Sequence, residues 1–295
     1  MRIYNYVKGT FSLLIFALNT LLCTMLLYPF LLLKTISPAG RFKFFFNRCM
    51  VRIGEAWISV NNLNLNLTQN ISWDIQGLDG LAIDRSYLVL VNHQSWMDIV
   101  ILQHFLNHRI PFIRFFLKKE LIYVPLLGGA WWALDFPFMK RYSLKELRKH
   151  PEKRREDFET AKRAGLKFRD SSVSILSFLE GTRFTKAKHD SQKSPYENLL
   201  VPKVGGLSAV IQGMGENFYR VLDITIIYPE GVVSLLQVFM GRLRRIQVRV
   251  RQLPVPVHLL SGDYLNDPSF RQNVQSWVRE IWTEKDRLIS KMKKP

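Results

Sequence analysis

From Gly9 to Leu33 the chain carries no charged side chain over 25 consecutive positions. A helix of that length crosses a hydrocarbon core of about 30 Å. Whatever the rest of the 295 residues folds into, this segment must be covered by protein or by lipid. It lacks a small-residue cleavage site and reads as an anchor rather than a removed signal. Pro29 near its end predicts a kink, so a single span and a hairpin half-buried in one leaflet both stay open. Basic residues flank it unevenly, with Arg2 and Lys8 before and Lys34, Arg41, Lys43, Arg48 and Arg52 after. If it spans once, the bulk of the protein is expected on the cytoplasmic side, in a cell inner membrane.

The net charge of +18 calls for an anionic partner: nucleic acid, a membrane surface or a phosphorylated substrate. Beyond the apolar run, Phe46, Met50, Ile53 and Trp57 recur at helical spacing, with Arg41, Lys43, Arg48 and Arg52 largely off that stripe. That pattern is a basic amphipathic helix of interfacial type, or an ordinary helix packed on a core. With no aromatic-interleaved basic groove, membrane lipid is the expected partner and nucleic acid is not. Cys23 and Cys49 are the only cysteines, which excludes a disulfide framework or a cysteine metal site.

Past residue 70, short apolar runs alternate with helical patterns. The expected fold class is α/β, a mixed, mainly parallel sheet flanked by helices and preceded by the N-terminal membrane-anchoring helical segment. Candidate strands are Tyr87–Val91, Ile110–Phe116, Val173–Leu179, Leu222–Tyr228 and Ile246–Leu253. Glu152 to Arg169 reads as a solvated surface helix, and Asp267 to Met292 as a long terminal helix with Phe270, Val274, Trp277, Ile281 and Trp282 inward. The division expected is 1–60 for anchor and interfacial helix and 61–295 for one folded domain.

The chemistry concentrates after the first strand, in Asn92-His93-Gln94-Ser95-Trp96-Met97-Asp98. Residues five apart on one helix point about 140° from each other, so His93 and Asp98 meet only across a strand-to-helix turn. There the aspartate folds back from the first helical turn to accept the imidazole N–H. It fixes the tautomer and stabilises the imidazolium, the histidine–acid half of a triad. A substrate that brings its own hydroxyl needs no serine or cysteine nucleophile. A second copy, His258 and Asp263, lies among Pro254, Pro256, Ser261 and Gly262 and reads as a loop coincidence. His104 and His108 are spaced i, i+4, but no third ligand accompanies them, and no metal site is expected.

Three further patches carry charge at turns. Glu180-Gly181-Thr182-Arg183 ends the strand Val173–Leu179, where open α/β sheets bind ligands, and offers a turn-forming glycine and a guanidinium fork suited to phosphate. Phe138-Met139-Lys140-Arg141 is the second, and Lys203 ahead of Gly205-Gly206 at a helix start is the third, able to hold phosphate on exposed amides.

In this order the patches resemble the glycerophospholipid acyltransferase family, in particular lysophosphatidic acid (1-acyl-glycerol-3-phosphate) acyltransferases. His93 to Asp98 looks like the first family motif, Phe138 to Arg141 the second, Phe178 to Arg183 the third, and Asp223-Ile-Thr-Ile-Ile-Tyr228-Pro229 the fourth. The last is in a variant of the lysocardiolipin-type branch and a bacterial membrane relative. Two departures stand out: Leu179 replaces the usual proline, and Ile226-Ile227-Tyr228-Pro229 replaces a Val-Pro-type motif.

The resemblance implies that 61–295 is an acyltransferase domain. It implies transfer of a fatty acyl group from acyl-coenzyme A or acyl carrier protein to the hydroxyl of a lysophospholipid, with no bound cofactor. On that expectation His93 deprotonates the hydroxyl and Asp98 orients it. Arg183, with Arg141 as second candidate, holds the acceptor phosphate, Glu180, Gly181 and Thr182 shape the site, and Lys203 adds a phosphate contact. The rival readings are a catalytically silent membrane adaptor and a hydrolase. A serine hydrolase of the elbow type would carry Gly-x-Ser-x-Gly, which does not occur here.

Overall fold

A computed structural model describes residues 2–38, 40–140, 142, 149–150, 152–169 and 171–293, with side chains from Tyr6 onward. Its heart is a six-stranded sheet in the order β1-β8-β7-β2-β6-β3, built from β1 (Ser72–Gln76), β2 (Ser86–Val91), β3 (Ile113–Phe115), β6 (Ser174–Phe178), β7 (Phe218–Ile227) and β8 (Arg245–Leu253). β7, β2, β6 and β3 run parallel. β8 is antiparallel to β7, and β1 parallel to β8. The mixed, mainly parallel sheet is therefore as expected. β4 (Leu117–Lys118) and β5 (Phe138–Met139) form a separate short pair.

Both faces of β2 are covered, which is why it reads as an unbroken apolar run. Leu88 and Leu90 face a core made with α5 (Glu152–Lys167), α7 (Gly205–Met214) and α9 (Pro268–Lys293). Tyr87, Val89 and Val91 face the opposite core, where α3 (Met97–Leu106) contributes Met97, Ile101 and Leu102. On α9 Phe270, Val274, Ile281 and Trp282 point inward as expected, but Trp277 is only partly buried and Val278 takes the core position.

Besides the unexpected pair β4 and β5, and β7 beginning four residues before Leu222, two strands differ from expectation. β3 is shorter than Ile110–Phe116, since Pro111 has no N–H to give a ladder. β1, with the mixed sequence Ser-Trp-Asp-Ile-Gln, has no clean alternation, and it is a strand because β8 pairs with it.

The N-terminus is a pair of long packed helices, α1 (Arg2–Ile36) and α2 (Arg41–Thr68). The boundary expected at residue 60 falls inside α2, whose asparagine-rich end is held by polar contacts to α1. Ser12 Oγ donates to Asn64 Oδ1 at 3.0 Å and lies 2.8 Å from Thr68 Oγ1, while Asn19 Nδ2 donates to Asn61 Oδ1 at 2.8 Å. The stripe Met50, Ile53 and Trp57 packs inward in a third core with Leu27 of α1 and Ala130 and Ala133 of α4 (Leu127–Ala133).

α1 is long and apolar enough to cross a membrane, with a mean hydropathy of 2.0, and only 22% of its most apolar stretch is buried. It nevertheless touches the folded domain along its length. A Cβ on Gly9 would sit 2.5 Å from the Phe239 carbonyl oxygen, so glycine is what lets the helix approach there. Phe16 packs edge-on to Phe239, Tyr28 donates to the Leu126 carbonyl at 3.0 Å, and Lys34 pairs with Asp135 at 3.2 Å. From Gly9 to Lys34 that is about 37 Å of helix resting one face on protein. The other face presents Leu14, Leu18, Leu22 and Leu26, each more than half exposed.

Candidate active site

Three parallel neighbours, β7, β2 and β6, end at the same edge of the sheet, and each delivers residues to one place. β2 runs into Asn92 and His93, β6 into Leu179 and Glu180, and β7 into Tyr228. Asn92 is buried and bridges to the next strand, accepting from Ile226 N and donating to Ile226 O, both at 2.9 Å. Its amide imitates one more rung of the ladder and fixes where the chain turns toward α3.

His93 Nδ1 lies 2.8 Å from Asp98 Oδ2, across the strand-to-helix turn that the spacing required. Asp98 sits in the first turn of α3, fully buried. Its Oδ2 also accepts from the backbone N–H of Gln94 (2.6 Å) and Ser95 (2.9 Å), and its Oδ1 accepts from the Tyr228 hydroxyl at 2.6 Å. Four donors converge on one carboxylate at a helix N-terminus, which satisfies a charge that burial would otherwise disfavour. Because Asp98 only accepts here, His93 donates through Nδ1–H and its Nε2 carries the lone pair. Nε2 has no partner among the described residues. The ring is stacked on Phe178 at 3.9 Å, which holds its plane.

Tyr228 is the contributor that sequence reasoning did not assign a role. Burial, and then Asp98, push its phenol well above the usual range, so it is a permanent donor. The departure in the fourth motif was the available signal, but the pairing spans 130 residues of sequence.

Glu180 is fully buried and works through the backbone. Its Oε1 accepts from His93 N at 2.8 Å and its Oε2 from Leu200 N at 3.1 Å, tying the His93 turn to the segment that enters α7. Burial pushes its carboxyl up to about 7, against the opposing pull of those two N–H bonds. Gly181 adopts φ +66 in the left-handed region, and a Cβ there would lie 3.3–3.5 Å from the Lys203 side chain. Lys203 thereby joins the third motif, with its own N–H on the Leu179 carbonyl at 2.7 Å.

Arg183 is exposed and lies over the Trp96 ring at 5.1 Å. Lys188, at the start of α6 (Lys186–Gln192) and not singled out by sequence, donates to Thr182 Oγ1 at 2.8 Å and to the Arg183 carbonyl at 3.0 Å. Arg183 and Lys203 have no carboxylate partner among the described residues, so this rim is available to an anion. Arg141 lies outside the described residues.

The other histidines that the sequence singled out are engaged elsewhere or stand apart: His104 stacks on Trp73 at 4.0 Å, His108 Nε2 meets Ser59 Oγ at 3.0 Å, and Asp263 is bound within its own turn by Leu265 and Asn266 rather than by His258. Among the described residues no group of three or more His, Cys, Asp or Glu has metal-site geometry. The arrangement is a histidine with a free lone pair, braced by a buried carboxylate, beside a cationic rim. It can take a proton from a hydroxyl and hold a phosphate next to it.

A family model described as Acyltransferase matches residues 72–233. The chain is similar to 1-acyl-sn-glycerol-3-phosphate acyltransferase gamma of Homo sapiens, 26% identical over 182 residues, 58% of this chain and 43% of the relative. It is also similar to lysocardiolipin acyltransferase 1 of Danio rerio, 25% identical over 282 residues, 90% of this chain and 66% of that one. It thus spans less than half the length of the first relative and about two thirds of the second. In fold it is similar to the crystal structure of the 1-acyl-sn-glycerophosphate (LPA) acyltransferase PlsC from Thermotoga maritima. The TM-score is 0.52 at 18% identity, covering 94% of this chain and 97% of that one.

Proposed function

The chain belongs to the acyltransferase family, and on that premise we propose that it moves a fatty acyl group from a thioester donor to the hydroxyl of a lysophospholipid. The leading acceptor is 1-acyl-glycerol-3-phosphate, giving phosphatidic acid. The observation that carries this reading is His93 with Nδ1 engaged and Nε2 open, next to the rim of Arg183, Lys188 and Lys203. Nε2 takes the acceptor's hydroxyl proton while the oxygen attacks the thioester carbonyl. The carbon–sulfur bond breaks, and the thiolate recovers the proton from the imidazolium. Asp98 stabilises the transient cation, and no acyl-enzyme forms. Acyl-coenzyme A or acyl carrier protein supplies the acyl group, and no resident cofactor is needed.

The exposed leucine face of α1 supports a membrane-associated enzyme whose helical pair lies in one leaflet, with the catalytic domain on the cytoplasmic side of a cell inner membrane. A second acceptor class is favoured by one observation: the relative covering 90% of this chain is a lysocardiolipin acyltransferase, and Tyr228-Pro229 departs from the Val-Pro-type motif. The purified protein should be given labelled acyl-coenzyme A with a panel of lysolipids. Phosphatidic acid as main product supports the first acceptor, acylation of a phosphodiester lysolipid the second, and free fatty acid alone would reject transfer.

A further inference from the structure

Away from the His93 turn, the described residues form a half-open hollow of about 510 Å³ where the start of α1, the end of α2, the first residue of β1 and the turn leading into β8 meet. Lys8, Asn70, Ser72 and Arg244 are on its walls, and no carboxylate is. We propose that this cavity is a second lipid site, taking the headgroup phosphate of an anionic phospholipid while its acyl chains lie along the neighbouring helices.

Three observations carry it. The first is how the arginines of this hairpin are distributed. Arg249 pairs with Asp74 at 2.8 Å and Arg251 with Asp223 at 2.6 Å, so those further along β8 are neutralised within the fold. Arg242, Arg244 and Arg245, in the turn and at the first position of β8, are exposed and have no carboxylate partner among the described residues. Excess positive charge has been left at one end of the strand only.

The second is position. β8 starts and β7 ends at the same sheet edge, because Gln247 is opposite Ile227 and Arg245 opposite Ser72. The cavity therefore opens on the edge that carries His93, two to three strand spacings, about 10–15 Å, from β2. The third is what surrounds it. Val7 and Phe11 on α1, within a turn of Lys8, and Leu63 and Leu67 on α2, within a turn or so of Thr68, are each more than half exposed. Exposed apolar side chains beside a polar, cationic hollow match a molecule with an apolar tail and an anionic head. A soluble phosphate would have no use for that surround.

The test uses the full chain in neutral detergent, where no charged membrane surface acts on distant residues. Binding of phosphatidylglycerol is read by native mass spectrometry, with phosphatidylcholine and glycerol 3-phosphate as comparison ligands. We expect one saturable phosphatidylglycerol per chain, weakened about fivefold by Arg244→Gln and by Lys8→Gln, the share of one cation near a lipid phosphate. Arg41→Gln, at the other end of the helical pair, and Arg183→Ala, at the catalytic rim, should leave it unchanged. Equal binding of phosphatidylcholine, equal loss with Arg41→Gln, displacement by glycerol 3-phosphate, or loss with Arg183→Ala would each overturn the site. Unfolding temperatures of the variants report whether they are folded. Because no transfer is measured, failure here is distinct from failure of the proposed reaction.

Discussion

Tyr228 and His93 share one carboxylate, and that competition sets a measurable property. Asp98 gives part of its charge to the Tyr228 hydroxyl at 2.6 Å and part to His93 Nδ1–H at 2.8 Å. Removing the hydroxyl in Tyr228→Phe takes away one of the four donors that hold this carboxylate in place. The transfer rate should then fall by about tenfold or more, the weight of one hydrogen bond to a charged group, with the acceptor's KM unchanged. A native rate would make Tyr228 a packing residue only. Glu180 makes a prediction about stability. Its carboxyl is raised by burial to about 7 in the folded protein, so the stability it contributes is present below its ordinary value and lost as pH rises through about 7. The difference in melting temperature between the native chain and Glu180→Gln should shrink from about pH 4.5 to pH 7 and be level above. A difference that instead grows with pH would reject the raised value.

At the scale of elements, the long terminal helix is locked to β7 by a charge pair with no exposure at all. Lys285 of α9 lies 2.7 Å from Asp223 Oδ1 on β7, and Arg251 holds the other oxygen. Burial drives the Lys285 amine down, and Asp223 opposes that shift. Lys285→Met strands part of a buried charge and should cost about 3–5 kcal/mol, read by denaturant unfolding. A loss below about 1 kcal/mol would show that Arg251 alone suffices.

The sequence made some of these elements plain and hid others, for physical reasons. β2 and the turn to α3 were legible because a strand buried on both faces leaves an apolar run, and a histidine and aspartate five apart can meet only across a turn. The Glu-Gly-Thr-Arg turn was legible from its glycine and charges. β1 was not, since its five residues have no periodicity of their own and pair with a partner 173 positions away. The end of α2 was obscured because its asparagines serve α1 rather than solvent, and polar residues in a helix read as an ending. Tyr228 stood out only as a departure in the fourth motif, because its partner lies 130 residues away, and Lys188 was hidden because a lysine in a charged surface helix reads as solvated.

At the scale of the molecule, the helical pair joins the sheet to a surface outside the protein. Leu14, Leu18, Leu22 and Leu26 line one exposed face at i, i+4 spacing, while Gly9, Phe16, Tyr28 and Lys34 seat the helix on the domain. Each leucine buried in lipid contributes about 1.5–3 kcal/mol, so changing three of them to serine should weaken vesicle binding by a thousandfold or more. Sedimentation with vesicles measures this, and unaltered binding would mean that another surface meets the membrane. The open Nε2 of His93 and the cationic rim lie at one edge of the sheet, and the proposed acyl transfer onto a lipid uses that edge. The central claim is that His93 removes the acceptor's proton, and single-turnover transfer of labelled acyl groups by purified His93→Ala tests it most directly. A fall of about 10²–10⁴-fold or more, with lysolipid binding retained, is the expected result; transfer within a few fold of the native rate would contradict it.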